Sequence, residues 1–208
     1  MTTSSELLDL SPVMPVVVLD EAEAAPDVAR ALLAGGIRTI ELTLRTPAAL
    51  AAIEKVATQV PDIVVGAGTV TTPEQAAQAV DAGAAFLVTP GTTDALLDAV
   101  TGTGLPFLPG AATVSEAMRL AERGIDTLKF FPAEASGGSA ALKAFAGPLP
   151  HLTFCPTGGI SVTNAPEYLA LSSVGCVGGS WLTPKEAVVA RDFATIETLA
   201  KEAATLGG

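Results

Sequence analysis

Eight short apolar runs alternate with eight Ala- and Leu-rich helical stretches along 208 residues, and this predicts an α/β protein, a compact (β/α)8 TIM barrel with a short extra N-terminal helix. The alternation is strict through all eight units. Each apolar run is only a few residues long, as strands covered on both faces should be. Polar residues recur inside these runs around the whole chain, whereas a doubly wound open sheet, the competing architecture, would gather them at one switch point. No linker, charge run or low-complexity tract divides the sequence, so a single domain over 1–208 is expected.

In chain order, Ser4 to Leu10 reads as the extra helix, and the strands follow at Met14–Leu19, Thr39–Leu44, Ile63–Gly68, Phe86–Thr89, Phe107–Leu108, Thr127–Phe131, Thr153–Pro156 and Val174–Gly178. The helices between and after them are expected at Ala22–Ala34, Pro47–Gln59, Pro73–Ala82, Asp94–Val100, Val114–Arg123, Ala140–Ala146, Ala165–Leu171 and Phe193–Leu206. Thr46-Pro47 and Thr72-Pro73 each offer a capping side chain followed by a proline suited to the first helical position. Gly35, Gly83 and Gly124 read as helix stops.

Composition narrows the function classes. Eleven Lys and Arg against 22 Asp and Glu leave a net charge of −11, which argues against nucleic acid and anionic membranes as partners. Hydrophobic residues make up 49% and charged residues 16%, too apolar for disorder, yet no apolar run is long enough to span a membrane. Nothing near Met1 resembles a secretion signal, so a cytoplasmic location is expected. Cys155 and Cys176 sit in apolar runs without metal-site spacing and read as buried free thiols. The one histidine, His151, follows Pro150 in a loop, so neither a His-rich metal site nor a Ser-His-Asp triad is supported.

The residue that asks most for a chemical explanation is Lys129, inside the strand Thr127-Leu128-Lys129-Phe130-Phe131. Alternation sets Thr127, Lys129 and Phe131 on one face and Leu128 and Phe130 on the other, so helix-facing Leu128 and Phe130 would turn the lysine into the barrel. An ammonium there must be paired or lose its proton, and a neutral amine is the nucleophile that imine formation with a ketone requires. Lys55, Lys143, Lys185 and Lys201 lie in helical or loop segments where a solvated charge costs little. The second strand carries a polar ladder, Glu41, Thr43 and Arg45, opposite Ile40, Leu42 and Leu44. Glu41 could move protons, and Arg45, last in the strand, could hold a carboxylate or phosphate with its planar fork of donors. An inert cluster of Glu41, Arg45 and Lys129 is the competing reading.

Gly-rich stretches suggest anion sites. Thr157-Gly158-Gly159-Ile160-Ser161 follows the seventh strand and Val177-Gly178-Gly179-Ser180-Trp181 ends the eighth, positions where such barrels recurrently bind phosphate through backbone N–H groups. Gly66-Ala67-Gly68-Thr69 offers another close-approach segment, with Thr69 able to bond a substrate carboxylate. Thr89-Pro90-Gly91 is a turn signal. Glu134, just past the lysine segment, reads as a solvated loop charge, with a supporting role behind the site as the alternative. These features leave open a Schiff-base enzyme, a non-covalent phosphosugar isomerase or epimerase, and a non-catalytic anion-binding protein.

Taken together, Glu41-Leu42-Thr43-Leu44-Arg45-Thr46, Val65-Gly66-Ala67-Gly68-Thr69-Val70, Lys129-Phe130-Phe131-Pro132-Ala133-Glu134, Phe154-Cys155-Pro156-Thr157-Gly158-Gly159-Ile160 and Gly178-Gly179-Ser180-Trp181 closely resemble the 2-keto-3-deoxy-6-phosphogluconate (KDPG) and 4-hydroxy-2-oxoglutarate aldolase family. The resemblance runs in order from Met14 to Trp181. It implies a class I Schiff-base lyase that yields pyruvate, needs no metal or other cofactor, and assembles as a homotrimer. By the same resemblance Lys129 is the imine-forming lysine and Glu41 the general acid/base. Arg45 and Thr69 lie around the pyruvate carboxylate, Pro90 and Phe131 line the pocket, and Thr157 sits near the substrate hydroxyls. Gly158, Gly159 and Ser180 hold the phosphate. Some relatives add an Arg at the end of the first strand, where Val16-Val17-Val18-Leu19-Asp20 offers none.

Overall fold

The computed structural model describes residues 3–206. Its strands are β1 (Val13–Val17), β2 (Thr39–Thr43), β3 (Val64–Gly68), β4 (Phe86–Val88), β5 (Phe107–Leu108), β6 (Gly110–Ala111), β7 (Thr127–Phe130), β8 (Thr153–Pro156) and β9 (Val177–Gly179). All pairings are parallel, in the order β5-β4-β3-β2-β1-β9 and β6-β7-β8. Only Pro109 separates β5 from β6. Proline has no N–H to continue a ladder, but its carbonyl still accepts from the Lys129 N–H at 2.9 Å, so the two pieces are halves of one stave. Bridges Phe154↔Val174 and Thr157↔Gly178 join β8 to the far edge. Eight staves therefore form a ring, as the alternation predicts.

The helices are α1 (Ser4–Leu8), α2 (Ala25–Ala34), α3 (Ala49–Gln59), α4 (Pro73–Asp81), α5 (Asp94–Gly102), α6 (Val114–Glu122), α7 (Gly138–Ala146), α8 (Ala165–Leu169), α9 (Lys185–Ala190) and α10 (Phe193–Ala204). Thr72 caps α4 as expected, accepting from the Gln75 N–H. Thr46 does not cap α3. Its hydroxyl donates to the Leu19 carbonyl at 2.5 Å, and the helix begins two residues after Pro47, with Ala48 at the cap. Val174 stays outside β9 because its N–H closes a turn onto Leu171. α9 has no counterpart among the expected helices. It is short, leaves Val189 exposed and ends at Arg191 in the left-handed region instead of at a glycine, so neither pattern nor stop signal marks it.

Two apolar layers result. The outer one packs strands against helices and includes Leu128 and Phe130, with Phe130, Phe145 and Phe154 meeting edge to face. The inner one holds Met14, Phe86, Val88, Leu108, Cys155 and Cys176, together with Leu7 and Leu8 of α1. Burying each of those leucines is worth about 1.5–3 kcal/mol. Ser4 ties α1 to the edge of β5, donating to the Phe107 carbonyl and accepting its N–H. Among the described residues no helix is long and apolar enough to cross a membrane.

Candidate active site

β2 and β7 stand on opposite sides of the ring, and their alternation turns Glu41 and Lys129 inward above the inner apolar layer. Lys129 is 3% exposed and Glu41 1%, and the Lys129 ammonium nitrogen lies 3.4 Å from Glu41 Oε1. Glycines on the next strand make the space. A side chain at Gly68 would sit 2.0 Å from Glu41 Oε1, and one at Gly66 would enter the Phe86 ring. The Gly66-Ala67-Gly68 segment therefore lies within β3 and admits neighbouring side chains there.

Lys129 Nζ also lies 5.3 Å from the centre of the Phe131 ring, close enough for a cation–π contact. Phe131 in turn lines a cavity of about 350 Å³ with Val16, Val18, Arg45, Thr157, Gly158, Gly159, Ile160, Gly178 and Ser180. Arg45 is the one charged residue lining it. Its guanidinium is exposed, and Nε donates to the Thr69 hydroxyl at 3.2 Å, so the competing reading of a three-charge cluster gives way to a buried pair with Arg45 apart at the mouth. Thr69 itself adopts φ 58°, a region β-branched residues rarely occupy.

Gly158 and Gly159 have φ of 100° and 81°, conformations that favour glycine, and this loop lines the cavity as expected of an anion site. The second Gly-Gly pair behaves differently. Gly178 and Gly179 lie inside β9 and make room for the Thr157 side chain and the Trp181 ring, while Gly178 and Ser180 both border the cavity. Thr157 is buried, with its hydroxyl 3.8 Å from Cys155 Sγ. Pro90 does not line the cavity. It packs where Gly110 has no side chain, and Gly110 is the register partner of Lys129. Thr43 is spent on a hydrogen bond to the Val17 carbonyl.

Some residues differ from expectation or were not singled out. Glu134 is not simply solvated, because it accepts a hydrogen bond from the Tyr168 hydroxyl. Val16 and Val18, at the end of β1, and Ile160, in the loop after β8, also line the cavity. Cys155 and Cys176 are buried free thiols whose sulfurs lie 3.5 Å apart, and the Cys176 thiol pKa is pushed up by its bond to Cys155 and by burial. His151 sits in an exposed turn. Lys55, Lys143, Lys185 and Lys201 form solvated pairs with Glu23, Glu167, Asp20 and Glu197. Among the described residues no group of three or more His, Cys, Asp or Glu side chains is arranged to hold a metal ion.

The pattern described as "Aldolase: KDPG and KHG aldolase" matches residues 5–199. The chain belongs to this aldolase family. It is 52% identical to the 2-dehydro-3-deoxy-phosphogluconate aldolase of Dickeya dadantii over 97% of this chain and 95% of that protein. It is 50% identical to the KHG/KDPG aldolase of Escherichia coli over 97% and 95% of the two chains. Among solved structures it superposes on the KDPG aldolase of Legionella pneumophila, which holds pyruvate captured at low pH as a covalent carbinolamine intermediate. The TM-score is 0.96 at 46% identity, covering 98% of this chain and 99% of that one. The KDPG and KHG aldolase family thus accounts for the whole barrel, with the buried Lys129–Glu41 pair and the glycine-lined cavity falling inside the matched span.

Proposed function

We propose that this chain is a class I aldolase that reversibly cleaves 2-keto-3-deoxy-6-phosphogluconate to pyruvate and D-glyceraldehyde 3-phosphate, and also takes 4-hydroxy-2-oxoglutarate, giving pyruvate and glyoxylate. The observation that carries this reading is the Lys129 amine held against a single carboxylate, one phenyl ring away from an anion-suited cavity. The covalent pyruvate adduct of the Legionella relative supports the same chemistry.

Unprotonated Lys129 Nζ attacks the C2 ketone to form a carbinolamine, which loses water to give an iminium. Glu41 removes the C4 hydroxyl proton. As the C3–C4 bond breaks, its electrons flow to the iminium nitrogen, leaving an enamine and free aldehyde. Protonation at C3 and addition of water then release pyruvate and restore the amine. Arg45 and Thr69 bind the substrate carboxylate, Thr157 the hydroxyls, and Gly158, Gly159 and Ser180 the phosphate, while Phe131 shapes the wall and Pro90, packed against Gly110 beside Lys129, supports it from behind. No step calls for a metal or other cofactor. We further assign the working form as a homotrimer in the cytoplasm.

Borohydride reduction in the presence of pyruvate tests this. The intact mass should rise by one reduced pyruvate adduct, mapping to Lys129 and absent from Lys129→Ala. A chain that takes up no adduct would act without a covalent intermediate, as an isomerase or a binding protein would. An adduct persisting in Lys129→Ala would remove Lys129 from the role.

A further inference from the structure

The Gly158-Gly159 loop leans on a side chain that the chemistry above does not use. Glu134 begins the 3-10 turn Glu134–Ser136 immediately after the lysine strand. The Ala133 N–H donates to the Thr157 carbonyl at 2.8 Å and the Glu134 N–H to the Gly158 carbonyl at 3.1 Å, so the turn after β7 and the loop after β8 are stitched together by backbone. The Glu134 side chain then crosses directly over Gly159, where an added Cβ would lie 2.5 Å from Glu134 Cγ. At its far end it accepts from the hydroxyl of Tyr168, a residue of α8 that is 1% exposed. On the other side, Asn164 donates to the Gly159 carbonyl at 3.0 Å.

A carboxylate beside an anion-binding loop opposes the anion less the farther its oxygens are turned from it, so the direction in which Glu134 is held matters. We propose that Tyr168 is a positioning residue. By bonding the Glu134 carboxylate it keeps the Glu134 methylenes laid across Gly159 with the charge drawn away toward α8, and so fixes the left-handed Gly158-Gly159 loop in the shape that receives the substrate's phosphate. This rests on the aldolase reading given above. Burial, the bond to Glu134 and the nearby carboxylates of Glu134 and Glu167 push the Tyr168 phenol above its ordinary value of 10.0, so the hydroxyl remains a donor.

Tyr168→Phe removes the donor and keeps the ring, and Glu134→Ala removes the acceptor. Hydrogen bonds to charged groups carry enough energy that each variant should raise KM for 2-keto-3-deoxy-6-phosphogluconate about tenfold. The pyruvate concentration for half-maximal borohydride trapping, which involves no phosphate, should stay within about twofold of wild type. Because the two groups act as one unit, the double variant should be no worse than the poorer single one. Unchanged KM in both variants, an equal rise in the pyruvate requirement, or multiplying effects would each overturn the proposal. Tyr168 is the only tyrosine, so phenolate absorbance reports it alone, and its titration should begin at lower pH in Glu134→Ala than in wild type. Identical titrations count against the proposal even if Tyr168→Phe folds poorly. A wild-type chain that never traps pyruvate would instead defeat the aldolase reading itself.

Discussion

Lys129 and Glu41 are 88 positions apart in sequence and within 3.4 Å in space, with almost no water reaching either. A buried pair of this kind is a weak source of stability, since desolvation offsets much of the Coulomb attraction. Under the proposed function its value is chemical, a base and a nucleophile sharing one dry site. Glu41→Gln keeps the shape and removes the base. Pyruvate trapping at Lys129 should survive, while turnover in the cleavage direction falls roughly 10²- to 10⁴-fold, the usual worth of a positioned acid/base. Steady-state rates beside adduct mass would check this, and undiminished turnover would take the proton-transfer role from Glu41. Both residues stand out in the sequence because an ionisable group in an apolar strand needs a reason. Thr69 does not stand out in that way. Its strained φ of 58° and its bond to Arg45 follow from where β3 meets the next segment, which no local pattern announces.

Among the elements, several glycines act by what they leave out. Gly68 admits Glu41, Gly178 admits Thr157, and Gly35, at the end of α2, admits α10. A methyl at Gly35 would lie 2.3 Å from Ala200 Cβ and 2.8 Å from the Glu197 carbonyl. Backbone cannot yield as a flexible side chain can, so Gly35→Ala should cost about 1–3 kcal/mol by overpacking. For a chain of this size that lowers Tm by roughly 5 °C, measurable by calorimetry. This contact lies in the outer helical layer, away from the cavity, so KM should be unaffected; a stable variant would show that α10 can shift freely. The glycines were legible as special positions, yet at Gly66, Gly68 and Gly179 the close approach comes from a neighbouring side chain, whereas Gly178 also borders the cavity. Sequence shows that something comes near, and only packing shows what.

At the scale of the whole molecule, isolated bridges close the ring between β8 and the β9 side, and α1 seals its floor under the Lys129–Glu41 pair. The assembly beyond one chain rests on the family resemblance. Sedimentation equilibrium at physiological ionic strength should give three times the chain mass, and a single-chain mass would overturn the trimer. With a net charge of −11 per chain, repulsion opposes association, so dissociation should become easier as salt is withdrawn and the Debye length grows. The amino-acid sequence alone determined the barrel, the inward lysine and the polar ladder, because strict alternation of strand and helix, and of inward and outward side chains, are local properties written in consecutive residues. It could not reveal that Arg45 stands apart from the Lys129–Glu41 pair, that Thr46 bonds Leu19 instead of capping α3, or that Glu134 rests on Tyr168. Those outcomes depend on which partner lies within about 3 Å once distant segments meet, and distance in space becomes defined only when the ring is closed.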